Sequence, residues 1–496
     1  MKKALLIFVG LTSQVLFAQE SGRIIPSETP RTQLGTQLGI NSYLKIQQLK
    51  DQAPLTGLPL RTSQVKNYST SQNIGLQIHD SDSNFIKIHP LFAFEKRFIE
   101  NTDLVENDAV NAFDGGLWLE GHKENLNVYV DARIFTETHT SLSVNSWDGD
   151  FVEIQRKDQA GSSSNLDFLS YARYRANIDY TGNWGSLGFR NDNVSWGPGQ
   201  INNLVFGPQA VPFSHLYYQL QIGNFRVQSL WGRVNLEGKF HGNFRLTNDT
   251  RSVYGHRYEW QISPKWLVGV SEQTIIYNGD EFSSLMPVVP LFMDKGLGVE
   301  ANNNGNIAFD LSYKPMQQLM LFGEFLVDDL QEPSTLFNNF WGNRWAAMGG
   351  CRGVFDLLQD ELYYNFEVSR IEPWVYSHYF RNTAQATHRG IPLGNTMGSN
   401  SLVYDLFLEY RNQFKWGAGL NTRAFIKGQS FGSDAEDPVY ERISDTKIFL
   451  DNKSKMNWVL SPRLFYKFKY LTLETSGDWD TSDKQSWYRF RIHSEY

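Results

Sequence analysis

The sequence contains very little cysteine: Cys351 is the only one among 496 residues. A single cysteine cannot form an intramolecular disulfide, and it leaves no cysteine pair for a zinc knuckle or a redox motif. Beyond the N-terminus no apolar run reaches the roughly 18 residues that a membrane-spanning helix requires. These absences exclude a disulfide scaffold and a helical membrane protein, so stability must come from packing and backbone pairing.

An excess of positive charge is also absent, because 46 basic residues stand against 53 acidic ones and give a formal net charge of −7. This balance offers no general attraction to nucleic acid, which we exclude as a partner. The sequence does contain 41% hydrophobic and 14% aromatic residues. That composition is too apolar for a disordered chain.

Signatures of catalysis are missing as well, since there is no G-x-S-x-G, no H-E-x-x-H and no Walker loop. A segment beginning at Asp80 and Asp82 imitates an EF-hand, but Phe85 stands where glycine is needed and Leu91 where glutamate is needed. Scattered Ser, His and Asp residues could meet in space as in a membrane phospholipase or protease, but no spacing supports this. We therefore predict no enzymatic activity, no metal and no cofactor.

Residues 1–18 have the pattern of a secretory signal peptide. Lys2 and Lys3 precede an apolar run that ends near Leu11, and Ala18 marks the predicted cleavage site. No cysteine follows the run, which excludes a lipoprotein anchor. We therefore expect an exported protein.

Apolar and polar residues alternate from about residue 85 to the C-terminus, which places apolar side chains on one face of each strand. In residues 126–137 the apolar residues share one face, while Asp131 and Arg133 share the other. The same division recurs in 168–180 and 401–411. A soluble sandwich rarely repeats charge-bearing inner faces over such a length, whereas a membrane barrel does so by construction.

Short turns and long segments alternate between these strands, as expected for an outer-membrane barrel with tight periplasmic turns and long external loops. The fold class is therefore predicted as all-β, a transmembrane antiparallel β-barrel of about 18 strands spanning residues 85–496. The predicted strands are 85–96, 113–121, 126–137, 168–180, 184–191, 216–222, 225–233, 256–262, 266–277, 306–313, 319–328, 345–356, 361–370, 401–411, 415–427, 458–467, 471–479 and 485–496.

The two ends of the chain carry different signals. Residues 19–84 do not alternate, and an N-cap at Asn41 or Ser42 predicts a short helix there. We interpret 19–84 as a periplasmic N-terminal segment with short helices, although a flexible tail is the alternative. At the other end, Phe490 and Tyr496 belong to an alternating strand that resembles the C-terminal signal read by barrel-insertion machinery. That machinery is therefore an expected partner.

One candidate binding motif follows the fifth predicted strand. Trp196 could supply an aromatic plate beside Arg190 and Asp192, a combination that suits a sugar ring with one apolar face and a hydroxylated edge. The alternative is purely structural, because Pro198 and Gly199 suit the central positions of a type II turn.

The long segment 371–400 is the densest in chemical groups. Arginine side chains there could fork onto carboxylate or phosphate oxygens, so an acidic polysaccharide or a lipopolysaccharide phosphate is a plausible target. For Trp374 and Tyr376 an interfacial aromatic girdle is the alternative. The candidate binding residues of this segment are Trp374, Tyr376, His378, Tyr379, Arg381, His388 and Arg389.

Several sequence blocks lie in order along the predicted barrel: Asp131–Glu137, Trp196–Gly199 with Ala210–Phe213, Glu272–Tyr277, Gly323–Asp329, and Thr387–Gly390 with Pro392–Gly394. Together they resemble the Wzi-like capsule assembly proteins of the Gram-negative outer membrane. The resemblance implies an 18-stranded barrel with an N-terminal periplasmic helical part, acting as a lectin that holds capsular polysaccharide at the cell surface. Segment 19–84 departs from it, because its helices are short and broken by Pro and Gly.

Two functions remain open. The first is a non-enzymatic, monomeric outer-membrane barrel that binds and anchors capsular polysaccharide or exopolysaccharide and contacts outer-membrane lipid and lipopolysaccharide. The alternative is a porin or transporter, because barrels of this size can leave an aqueous channel. The two differ in whether loops or luminal side chains close the pore.

Overall fold

The computed structural model describes most of the chain from residue 76 onward. The predicted signal peptide, the predicted helix near Asn41, and the residues Arg381, Arg389 and Tyr496 lie outside the described residues. The described ranges are 76–81, 84–101, 108–137, 152–156, 169–235, 250–277, 303–316, 318–357, 360–380, 383–388, 390–412, 416–468, 471–481 and 485–494.

Eighteen antiparallel strands form one closed barrel, so the predicted fold class and strand number are confirmed. Each strand pairs with the next along the chain, and the first pairs with the last, from Ala93 opposite His493 to Asn101 opposite Gln485. The strands are β1 Asn84–Asn101, β2 Asp108–Lys123, β3 Leu126–Glu137, β4 Leu169–Gly182, β5 Gly185–Asp192, β6 Phe213–Ile222, β7 Phe225–Asn235, β8 Thr250–Ser263, β9 Trp266–Tyr277, β10 Asn303–Met316, β11 Leu319–Asp329, β12 Arg344–Leu357, β13 Asp360–Ile371, β14 Ser401–Asn412, β15 Trp416–Lys427, β16 Asn457–Lys467, β17 Leu471–Asp480 and β18 Gln485–Ser494.

All predicted strands are found, but several are longer than predicted. β1 extends to Asn101, whereas the sequence predicted its end at residue 96. β2 begins at Asp108, whereas the sequence predicted its start at residue 113. β8 begins at Thr250 instead of 256. There the alternation is lost, because residues 251–257 are buried on both faces of the strand.

Small elements accompany the barrel. The strand Leu76–Ser81 pairs with β1, with Leu76 opposite Ile88, so β-structure begins before the predicted boundary at residue 84. No helix within the described ranges is long and apolar enough to span a membrane. The other short elements are the strand Val152–Arg156, the paired strands Thr387–His388 and Ile391–Pro392, and the 3₁₀ turns Pro333–Thr335 and Val439–Glu441.

The two faces of the barrel wall differ as the alternation predicted. On β4, Arg175 and Asp179 are buried and face the lumen, whereas Ile178 and Tyr180 are exposed on the outside. An apolar outer band around a polar interior is the arrangement that suits a barrel embedded in lipid. Other large side chains exposed on the outer face are Phe94, Phe98, Phe189, Trp260, Phe309, Leu311, Trp458, Leu464 and Phe490.

The main hydrophobic core lies inside the barrel, at the end that carries the long connections, which we call the mouth. It combines residues of three long connections with inward-facing residues of the wall. Its members include Trp196, Leu204, Val205, Phe206, Val253, Ile275, Leu326, Ala346, Val375, Tyr376 and Leu393.

Because the outer face is apolar, a charge placed on it should destabilise the barrel in lipid. Phe309 lies at the middle of β10 and is 51% exposed. Phe309→Arg should lower the free energy of unfolding by about 2 to 4 kcal/mol, because the charge must enter the bilayer midplane. Urea unfolding in lipid vesicles measures this. The control Ile443→Arg, at a loop residue that is 99% exposed, should leave stability unchanged. Equal stability of both variants would contradict an embedded outer face.

Candidate functional site

Three connections build the mouth. The inner loop, residues 193–212, joins β5 to β6; the cover loop, residues 372–400, joins β13 to β14; and the outer loop, residues 428–456, joins β15 to β16. Residues 201–208 of the inner loop are all buried. A buried loop must find partners for its backbone N–H and C=O groups, since water does not reach them.

The carboxylate of Glu367 on β13 provides the main anchor for the inner loop. It accepts hydrogen bonds from the backbone nitrogens of Gln200 at 2.7 Å, Ile201 at 3.2 Å and Asn202 at 2.8 Å. Glu367 lies four residues before the end of β13 at Ile371. That distance is about 13 Å along a strand, so the inner loop reaches deep into the lumen.

Other inward-facing side chains hold the rest of the inner loop. Glu324 on β11 accepts a hydrogen bond from the backbone nitrogen of Leu204 at 2.9 Å. Three further bonds tie the loop to the wall on different strands. They join Gln273 Nε2 to the Val205 oxygen at 3.0 Å, Asn202 Nδ2 to Asp405 at 2.7 Å, and Arg352 Nη1 to the Pro198 oxygen at 2.9 Å.

Trp196 packs inside the mouth and is only 4% exposed. Its backbone nitrogen donates to the oxygen of Phe206 at 3.0 Å, and the two rings meet edge to face with centroids 5.0 Å apart. A Cβ at Gly255 would lie 2.7 Å from the indole ring, so glycine permits this approach. Trp196 therefore does not present the predicted aromatic plate to a ligand.

The turn after Trp196 also differs from the structural alternative. The residue with positive φ is Gly197, at 120°, and not Gly199 as a type II turn at Pro198 and Gly199 would require. The backbone nitrogen of Gly199 donates instead to Asn203 Oδ1 at 2.6 Å. The side chain of Asn203, in the same loop, thus orders this turn.

Arg190 and Asp192 line the lumen wall on β5. Arg190 donates to Asp179 at 2.8 Å and lies 4.1 Å from the ring of Tyr217. Asp192 accepts hydrogen bonds from Asn177 Nδ2 at 3.1 Å and from the backbone nitrogen of Asn193 at 2.8 Å. Both candidates therefore bond to the wall and its junction with the inner loop.

The cover loop lies against the inner loop and buries two predicted stacking residues. Tyr376 is fully buried, and its hydroxyl donates to the Leu204 oxygen at 2.8 Å. Burial raises the pKa of Tyr376. Trp374 is 4% exposed and meets Phe431 of the outer loop edge to face at 5.1 Å. Both the girdle interpretation and the sugar-stacking role are unsupported for these residues, because their rings are covered by protein.

The two histidines of the cover loop are buried as well. His378 Nδ1 lies 2.5 Å from Thr383 Oγ1, and His388 meets the ring of Phe213 at 6.2 Å. Tyr379 is the one described candidate that is well exposed, at 43%. Among the described candidates, Tyr379 alone keeps an open ring, and polysaccharide binding by the whole predicted set stays a prediction.

The outer loop fixes the cover loop from above. Lys447 Nζ lies 3.0 Å from the carboxylate of Glu372 and also donates to the Asn343 oxygen. Burial lowers the pKa of Lys447, and Glu372 opposes that effect. The outer loop also donates from the backbone nitrogen of Val439 to the oxygen of His378 at 3.1 Å.

Below the inner loop, charged side chains pair along the wall. Arg463 lies 2.7 Å from Glu409, and Arg489 lies 3.2 Å from Glu474. Arg491 reaches Asp114 across the barrel closure at 2.9 Å. The described residues contain no group of three or more ligands that could hold a metal ion. The wall is therefore polar and internally compensated.

The residues that sequence reasoning missed are the anchoring carboxylates Glu367 and Glu324. Their inward-facing positions followed from the alternation, but their partners lie far away along the chain. The blocks behind the family resemblance contain some of these anchors. Glu324 and Gln273 hold the inner loop, and Asp328 accepts a hydrogen bond from the backbone nitrogen of Tyr376 at 2.8 Å.

The chain matches no protein-family model and no curated protein. Among solved structures it is similar to Wzi of Escherichia coli, an outer-membrane protein involved in group 1 capsule assembly and a carbohydrate-binding β-barrel, at 12% identity and a TM-score of 0.48 over 81% of this chain and 83% of that chain. It is also similar to OccAB2 of Acinetobacter baumannii, at 8% identity and a TM-score of 0.44 over 82% of this chain and 97% of that chain. OccK2 (OpdF) of Pseudomonas aeruginosa, solved in complex with glucuronate, gives 9% identity and a TM-score of 0.42 over the same shares. Membership of the Wzi-like family stays a prediction.

The anchoring geometry predicts that removal of Glu367 loosens the inner loop. Glu367→Ala removes three charge-assisted bonds, each contributing about 1.5 to 3 kcal/mol, and should speed amide hydrogen exchange at residues 200–202 by roughly a hundredfold or more. Mass spectrometry of the folded barrel in detergent measures the exchange. The control Glu441→Ala, at an exposed outer-loop residue, should leave these amides as protected as in the wild type. Unchanged protection in Glu367→Ala would contradict the anchoring role.

Proposed function

We propose that this protein is a non-enzymatic outer-membrane β-barrel that binds and anchors polysaccharide at the cell surface. The observation that carries the proposal is the inner loop inside the lumen, held by carboxylates on β11, β13 and β14. In this proposal the bonded, buried inner loop closes the lumen, which favours a surface-binding role over conduction of solutes.

The membrane location is supported by the apolar outer band and by the alternation of short and long connections. Outer-membrane barrels carry their long loops on the external side. With that orientation, the mouth faces the cell exterior. The mouth is then the surface that meets extracellular polysaccharide. Lipid, lipopolysaccharide and barrel-insertion machinery are the expected partners of a monomeric barrel.

The surroundings of the two cover-loop histidines favour a binding role over a catalytic one. Imidazole is the side chain best suited to acid–base chemistry near neutral pH. In the cover loop, His378 bonds to Thr383 and His388 packs against Phe213, so neither ring lies open at the mouth. Arg381 and Arg389 stay candidates for binding the acidic groups of a polysaccharide.

A porin or transporter is the second candidate, and the polar wall below the inner loop favours it. Charged rows such as Glu409, Arg463, Glu474 and Arg489 would line an aqueous path if the inner loop moved aside. In the proposed binding barrel, by contrast, the anchored loop closes that path. Solute conduction by the resting barrel would distinguish it from the binding function.

Deletion of the protein tests the proposed function in the producing cell. We expect the wild-type protein in the outer-membrane fraction, with a gel mobility that shifts on boiling, as for a folded barrel. A deletion strain should shed polysaccharide into the medium and lose cell-attached polysaccharide, and the wild-type gene should restore attachment. Total polysaccharide serves as the control and should stay constant. Unchanged attachment in the deletion strain, or recovery of the protein in the soluble periplasm, would contradict the proposal.

A further inference from the structure

Three aromatic side chains form an exposed cluster on top of the mouth, which we call the aromatic triad: Tyr379, Phe380 and Tyr440. They are 43%, 41% and 46% exposed. The ring centroids of Tyr379 and Phe380 are 5.0 Å apart, those of Phe380 and Tyr440 5.9 Å, and those of Tyr379 and Tyr440 6.3 Å. The triad therefore offers a continuous aromatic surface drawn from the cover loop and the outer loop.

The backbone beneath the triad is fixed by bonds between the two loops. The nitrogen of Tyr440 donates to the oxygen of Tyr379 at 3.0 Å. Neighbouring Val439 and His378 are buried, and Gln385 Nε2 donates to the Phe380 oxygen at 3.0 Å. A pre-formed surface avoids much of the entropy cost of ordering loops on binding.

The triad lies over the mouth and not on the lipid-facing wall. The oxygen of Ser377 accepts hydrogen bonds from Asn304 of β10 at 3.2 Å and from Arg344 of β12 at 2.8 Å. The oxygen of Gln385 accepts a hydrogen bond from Arg251 of β8 at 2.7 Å. Inward-facing side chains of three strands thus hold the backbone on both sides of Tyr379. Its exposed rings face the cell exterior in the proposed orientation.

Polar groups at the edge of the triad indicate the class of ligand. The hydroxyl of Tyr440 donates to the exposed carboxylate of Glu441 at 2.7 Å. A carboxylate accepts hydrogen bonds from sugar hydroxyls and repels uronate groups. Aromatic rings beside such an acceptor suit a sugar that has an apolar face and free hydroxyls.

We propose that the aromatic triad is the site where a neutral, hydroxyl-rich sugar residue of the bound polysaccharide stacks. This inference rests on the proposed function and names the binding surface and the class of sugar. Glu441 orients the Tyr440 hydroxyl and accepts hydrogen bonds from the sugar. If the triad instead bound a lipid or a protein, substitutions in it would leave saccharide binding unchanged.

The test uses fragments of the producing cell's own surface polysaccharide as the probe. One pool is used as isolated, and a matched pool has its uronate carboxyls chemically reduced to alcohols. Affinity for the purified, folded full-length barrel is measured by calorimetry for the wild type and for Tyr379→Ala, Phe380→Ala and Tyr440→Ala. Phe337→Ala is the matched control, because Phe337 is an aromatic residue 71% exposed on the connection between β11 and β12.

We expect each triad variant to bind roughly tenfold more weakly than the wild type, because a stacking ring is lost. Phe337→Ala should bind as the wild type does, and the loss in the triad variants should be as large with the reduced fragments as with the untreated ones. A mobility shift on boiling, equal to that of the wild type, checks that each variant is folded. Tyr440→Phe keeps the ring and should lose less affinity than Tyr440→Ala.

Two results would overturn the inference while leaving the proposed function standing. The first is wild-type affinity in all three folded triad variants. The second is a loss in the triad variants that disappears when the carboxyls of the fragments are reduced, because the triad would then recognise the acidic sugar. If the wild type binds neither pool, the proposed function itself fails. The failures are therefore distinguishable.

Discussion

The arrangement of this molecule depends on one constraint: a chain segment inside a barrel must have its backbone groups bonded by the wall. Glu367 meets that demand for three consecutive residues, with N–O distances from 2.7 to 3.2 Å. Glu324 and Gln273 bond further backbone groups of the inner loop, and Asp405 holds the side-chain amide of Asn202. Once the inner loop is held there, its apolar side chains supply a core on which the other loops can pack.

The mouth is therefore layered. Tyr376 of the cover loop bonds to Leu204 of the inner loop, and Trp374 packs against Phe431 of the outer loop. Aromatic residues with the same chemistry consequently have different roles at different depths. Those in the lower layers exclude water and fix the loops, whereas Tyr379 and Tyr440 in the top layer keep their rings exposed.

Sequence reasoning recovers the barrel because alternation is a local property. The inward positions of Asp131, Asp405 and Glu409 follow from the period of two in their strands, and the structure places all three inside. Which loop side chains are buried does not follow from the local sequence pattern. Whether Trp196 is open or covered depends on Phe206, Gly255 and a carboxylate at position 324, and no spacing in the sequence relates these residues. A loop rich in aromatic residues can form a ligand site or a hydrophobic core, and only the burial of its rings in the folded barrel distinguishes the two.

Single-channel recording of the wild-type barrel in planar lipid bilayers tests most directly the claim that the anchored inner loop closes the lumen. A lumen closed by the inner loop should give no steady conductance from the folded wild-type protein at moderate voltage, and Glu367→Ala should give openings under the same conditions. A stable, ohmic channel of porin size in the wild type would contradict it, because the inner loop would then leave a continuous path for water and ions.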